Sequence, residues 1–142
     1  MQIVARSMGR YQTSLSGMAG STSQPAFTFV NGNAKLDGGA GLLIVTGELT
    51  LDGNALFNGI ILVLGEGSLI RSGGGNSTIL GSIYVAKFAR SWPASENGLP
   101  HPFLAPAVNV GGGGTANFIY DSNWVQKGKD ALGDIVRDVR EY

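Results

Sequence analysis

The sequence predicts a mainly β fold: a short β-helix, or β-solenoid, of about three irregular rungs, with a C-terminal α-helix packed on one face. Three observations point there. One phrase is written three times between Phe27 and Ala86: an apolar strand, a glycine, a short alternating strand and a Gly/Asn corner. It reads Phe-Val-Asn-Gly-Asn-Ala-Lys-Leu-Asp-Gly over 29–38, Val-Thr-Gly-Glu-Leu-Thr-Leu-Asp-Gly-Asn over 45–54 and Val-Leu-Gly-Glu-Gly-Ser-Leu-Ile-Arg-Ser-Gly-Gly-Gly-Asn over 63–76. The spacing is the second observation, with 15 residues from Gly32 to Gly47, 18 from Gly47 to Gly65 and 22 from Gly59 to Gly81. Periods this short suit one rung of a β-helix, whereas helical repeats take about 34 or more residues and few glycines. Composition is the third: 23 glycines stand against 14% charged and 43% hydrophobic residues in a chain of 142. Aliphatic runs lie between the glycines, so the glycines read as turns and close backbone approaches within a packed chain.

The elements follow in order. Residues 1–25 form a flexible or partly helical N-terminal segment, in which Ile3, Val4 and Tyr11 can start a short helix and Ser-Leu-Ser-Gly-Met-Ala-Gly-Ser-Thr-Ser (14–23) is a flexible approach. Residues 26–142 form a single β-solenoid domain, as the length suggests. Leu42–Val45 and Ile60–Leu64 are apolar on both alternating faces, as strands buried on both sides are. Glu48–Asp52 alternates instead, with Leu49 and Leu51 inward. Residues 87–114 make an irregular Pro/Gly-rich excursion containing Pro93, Pro100, Pro102 and Pro106 and ending in Gly111–Gly114. Charge then rises, and 121–142 supplies a C-terminal helix and a final strand. Ser122 caps a helix over 123–132 that presents Trp124, Val125, Ala131 and Leu132, and Gly133 ends it. Gly128 weakens that helix by about 1 kcal/mol relative to alanine. Ile135–Tyr142 reads as the strand, with a second helix as the alternative. Two-faced apolar strands need a cover, so this helix is expected against the Leu42–Val45 and Ile60–Leu64 face.

Functional motifs are sparse. Zero formal charge gives no support for nucleic-acid binding, and the absence of cysteine removes disulfide and thiol chemistry. The longest aliphatic run, Ile60–Leu64, is far short of the roughly 18 residues of a membrane span. Gly65-Glu66-Gly67-Ser68-Leu69-Ile70 lacks the third glycine of a dinucleotide loop. A calcium nonapeptide begins at Gly38-Gly39-Ala40-Gly41 but carries Leu43 where Asp is required. No cofactor, metal or catalytic site is therefore expected. Asp37 and Asp52 precede glycine at equivalent repeat positions and offer a weak carbohydrate or ion site, although Asp-Gly is also ordinary turn chemistry. His101 stands alone in Leu-Pro-His-Pro-Phe, and with Trp92 and Phe103 it forms a candidate partner contact. Those aromatics can equally plug a solenoid end. Asn76-Ser77-Thr78 fits a glycosylation sequon.

Gly41-Leu-Leu-Ile-Val-Thr-Gly-Glu-Leu-Thr-Leu-Asp-Gly-Asn54, Phe57-Asn-Gly-Ile-Ile-Leu-Val-Leu-Gly-Glu-Gly67, Gly73-Gly-Gly-Asn-Ser-Thr-Ile-Leu-Gly-Ser-Ile-Tyr-Val-Ala86 and Tyr120-Asp-Ser-Asn-Trp124 resemble the C-terminal exported region of bacterial type IV pilus assembly accessory proteins of the PilX-like kind. The similarity covers residues 26–142. It implies a non-enzymatic structural or interaction domain, periplasmic or at the cell surface, with protein partners in the assembly and self-association. It also implies an N-terminal membrane anchor in the full-length protein, so the abrupt Met-Gln-Ile-Val-Ala-Arg start reads as that of an ectodomain fragment. Two alternatives stand beside it: a carbohydrate-binding or polysaccharide-cleaving β-helix, and a polymerising scaffold similar to bactofilins.

Overall fold

A computed structural model describes residues 2–88 and 103–133. The elements run α1 (Gln2–Ser7), β1 (Tyr11–Gln12), β2 (Leu15–Ala19), β3 (Ala26–Val30), β4 (Ala34–Val45), β5 (Glu48–Gly65), β6 (Ser68–Ser72), β7 (Asn76–Phe88), β8 (Phe103–Leu104), β9 (Ala107–Asn109), β10 (Thr115–Tyr120) and α2 (Ser122–Asp130). The fold is mainly β, a parallel sheet with a C-terminal helix; the β7–β8 pair alone is antiparallel among the described strands.

Three parallel ladders organise the pairing. The first stacks 11–12, 26–30, 41–45, 59–65 and 81–87. The second stacks 15–17, 34–36, 48–52, 68–72 and 107–109. The third stacks 18–19, 38–40, 56–58, 76–81 and 115–120. Because parallel strands pair in register, like residues fall on like: Leu43 on Ile61 on Ile83, Val45 on Val63 on Val85, Leu36 on Leu51. These inward residues, with Leu49, Phe57, Leu69 and Ile79, make one apolar cluster shared by all three ladders. Burial of such aliphatic side chains stabilises by roughly 1.5–3 kcal/mol each.

The opposite face of the first ladder makes a second cluster from Phe27, Phe29, Leu42, Ile44 and Ile60. Val4, Ala5 and Met8 of the N-terminal stretch and Val125 and Leu132 from the α2 region cover it. The two-faced apolar pattern of Leu42–Val45 and Ile60–Leu64 therefore has the cover it requires, on the expected side, and α1 contributes to that cover as well. Gly128 explains how α2 comes so close. A Cβ there would lie 2.9 Å from both the Gly41 carbonyl oxygen and Ile60 Cγ1, so the residue that weakens the helix also lets it settle onto the backbone of the sheet.

Several boundaries differ from the sequence reading. Asp121, not Ser122, caps α2: its backbone is extended (φ −138°, ψ 111°) and its Oδ1 accepts from Trp124 N at 3.0 Å, while Ser122 already lies inside the helix. Gly133, in the left-handed region at φ 68°, follows the last turn as expected. The stretch 14–23 is not simply a flexible approach, because β2 pairs with β4 through 15–19. The 87–114 excursion likewise contains β8 and β9, and β9 pairs with β6 in register. Both departures have one cause: pairing there is made by backbone groups, and Ser16-Gly17 and the exposed Ala107–Asn109 carry no apolar alternation to announce it. The expected strand over 135–142 lies outside the described residues.

Corners are held by glycine and asparagine. Gly41, Gly59 and Gly81 stack where the third ladder passes into the first, with φ of 123°, 142° and 138°. A Cβ on Gly59 would collide with the Gly41 carbonyl oxygen, and one on Gly81 with that of Gly59. Asparagine side chains carry the hydrogen-bond ladder past other corners: Asn33 Oδ1 accepts from Glu48 N at 2.9 Å. Asn54 Oδ1 accepts from Asn76 N at 3.3 Å, and Asn76 Oδ1 from Thr115 N at 3.3 Å.

Candidate interaction surfaces

Among the described residues, the last level of the ladders ends in open backbone. Within that set, β10 pairs only with β7, β9 only with β6, and residues 82–86 of β7 only with β5. Large apolar side chains crowd this end: Tyr84 is 59% exposed, Ile119 51% and Tyr120 72%. With Phe118 and Ile83 they line a hollow of about 260 Å³. A row of unpaired N–H and C=O groups beside exposed aromatics is a template for strand pairing and for apolar anchoring at once.

Arg71 fastens the corner below this end. It stacks on Leu51 at an inward position of the second ladder and is only 8% exposed. Its Nη2 donates to the carbonyl oxygens of Gly75 and Gly113, the latter at 3.2 Å. A buried guanidinium thus ties the 111–114 loop to the corner at 73–75, with carbonyl oxygens in place of a carboxylate. Its Nε and the nearby Ser77 Oγ are buried without a hydrogen-bond partner among the described residues.

A second feature lies where the first ladder passes into the second. A groove of about 680 Å³ runs across successive levels there. Its floor is glycine, Gly32 and Gly47, and its walls are the residues on either side of each corner glycine: Asn31 and Asn33, Thr46 and Glu48, Glu66 and Ser68. Hydrogen bonds run along the walls. Thr46 Oγ1 donates to Asn31 Oδ1 at 3.1 Å, and Ser68 Oγ donates to Glu48 Oε2 at 2.9 Å. At one end Asn31 Nδ2 donates to Tyr11 Oη at 3.0 Å. That bond, seconded by Gln2 and by the Arg6 guanidinium over the ring, holds the Tyr11 hydroxyl below its ordinary pKa. The groove residues stand in the sequence as Asn-Gly-Asn (31–33), Thr-Gly-Glu (46–48) and Glu-Gly-Ser (66–68), where the corner signal of the glycine is shared by ordinary turns and does not by itself mark a groove.

The residues singled out from sequence are placed as follows. Asp52 Oδ2 lies 3.6 Å from Lys35 Nζ, and its Oδ1 accepts from Asn54 N at 3.3 Å. This is the local bonding of an Asx turn. Asp37 sits at the register shift between Leu36 and Gly38, and no hydrogen bond joins it to Asp52. Among the described residues no group of three or more His, Cys, Asp or Glu is arranged to hold a metal ion. Trp92 and His101 lie outside the described residues. The Phe103 backbone pairs with Phe88 in β8. In the sequon, Asn76 gives its Oδ1 to the ladder and Ser77 is buried. No helix of the described residues is long and apolar enough to cross a membrane.

Compared with known proteins, the chain matches no family model, no curated protein and no solved structure.

Proposed function

We propose that the chain is a short β-solenoid acting as a non-enzymatic structural and interaction domain, which engages protein partners of an exported pilus or surface assembly through its open end. The observation that carries the reading is the edge of β7 and β10 that has no strand partner among the described residues, with Tyr84, Phe118, Ile119 and Tyr120 exposed beside it. The solenoid component is supported by continuity: β4 and β5 each run through all three ladders, and each level returns to the first ladder one strand spacing further along. The pilus component rests on the resemblance of residues 26–142 to PilX-like proteins. An extended segment of a partner would add its strand to β10, a mode in which main-chain hydrogen bonds supply affinity and side-chain hollows supply selectivity.

The test replaces Tyr84 and Phe118 together by aspartate in the full-length protein in its host. Loss of surface pili, with the variant folded and equally abundant, is the expected result; unchanged piliation defeats the reading. A second reading, an end-to-end scaffold similar to bactofilins, is favoured by the opposite end, where β1 and β2 also have one open edge each among the described residues. Heterologous stacking of this kind yields filaments. Electron microscopy of the purified protein separates the two, since filaments support the scaffold and discrete particles exclude it.

A further inference from the structure

We propose that the polar groove between the first and second ladders binds an extended β-1,4-linked glycan. The groove is separate from the open end and does not rest on the pilus reading. Its chemistry argues for the ligand. The groove gathers polar side chains from three successive levels, Asn31 and Asn33, Thr46 and Glu48, then Glu66 and Ser68; Ser68 lies on Glu48 in register, while the register on the Thr46 side differs by two residues. Strand spacing sets successive levels about 4.8 Å apart along the line of the groove. A ligand that follows the line must itself be straight and must offer hydrogen-bonding groups at every step.

The wall groups match hydroxyls better than they match peptide side chains. Asn33 uses its Oδ1 on Glu48 N, so its amide protons are directed elsewhere; Glu48 uses Oε2 on Ser68, so Oε1 keeps its acceptor capacity. An amide donor and a carboxylate acceptor at adjacent levels suit vicinal hydroxyls, each of which donates and accepts. The walls carry no large aliphatic side chain that would hold an apolar peptide. Lys87 lines the groove along with Glu48 and Glu66, so its charge is mixed, which favours an uncharged chain over a polyanion. At about 680 Å³ the groove lies within the roughly 300–1,000 Å³ of small-ligand sites. Glycine at 47 lets successive levels close up beneath the groove, because a Cβ there would run into Gly32 and Asn33.

The experiment titrates the isotope-labelled full chain with cellohexaose and with chitohexaose, followed by amide NMR, with maltohexaose as the curled α-linked control. Saturable shifts at the backbone amides of Gly32, Gly47 and Glu48 and at the Asn33 side-chain amide, for at least one β-linked hexamer and not for maltohexaose, are expected. The paired Thr46→Val and Glu48→Gln substitutions should then weaken binding by about tenfold or more, since hydrogen bonds to a charged group are lost. Absence of shifts with both β-linked hexamers overturns the proposal, as do equal shifts with maltohexaose or shifts confined to 115–120. The wild-type titration decides these outcomes even if the double variant folds poorly.

Discussion

At Gly59 two constraints meet, as they do at its stacked neighbours Gly41 and Gly81. Its φ of 142° is disfavoured for an L-residue, and the place a Cβ would take is filled by the Gly41 carbonyl oxygen of the level below. Gly9 has the first constraint alone, with φ 67° and nothing within 4 Å. Gly59→Ala should therefore cost about 3–5 kcal/mol from strain and overpacking together, against about 1 kcal/mol for Gly9→Ala. Urea denaturation of both variants checks this, and similar losses would remove the glycine column from the account of stability. Arg71 poses a different problem at the same scale. It occupies an inward position over Leu51, and no neighbouring residue in the sequence marks it as buried. Only stacking makes it so, because its partners at Gly75 and Gly113 lie on two separate loops.

Elements owe their placement to faces, and α2 is the clearest case. Alanine normally stabilises a helix by about 1 kcal/mol relative to glycine. Gly128→Ala should reverse that sign, because its Cβ would press on Gly41 and Ile60. A lower thermal midpoint is expected, and a higher one would mean that α2 can lift from the sheet without loss. The same element shows what the sequence discloses. Val125 and Leu132 are spaced to share a face, and Leu42–Val45 and Ile60–Leu64 demand a cover, so the packing partner was legible. The cap was misassigned by one position because Asp121 and Ser122 are both good cap residues, and tertiary approach chose between them. The strands β2 and β9 were illegible because they pair through backbone groups with little apolar alternation. The groove was hidden for a related reason: its members are 15–20 residues apart in sequence, and only the register of the ladders lines them up.

For the molecule as a whole, the cover over the first ladder separates a solvated fold from an exposed apolar sheet. Removing 121–142 should bare Leu42, Ile44 and Ile60 and cause aggregation, measured by light scattering. A monomeric truncation with an unchanged thermal midpoint would refute that role for α2. The ladders also impose an order in time. Hydrogen bonds between successive levels join residues 15, 20 and 22 apart, whereas the bond that seats β10 on β7 spans 39. Chain-closure entropy grows with the logarithm of that span, by about 0.6 kcal/mol per doubling, so the inner levels can zip in sequence while the final level docks after a longer search. Pulse-labelled hydrogen exchange during refolding should find Thr115–Tyr120 protected after β4 and β5, and the reverse order would contradict it. In that order β10 would be the last strand of the ladders to be seated, and on the proposed reading a strand arriving from another chain would compete with β10 itself for its seat on β7.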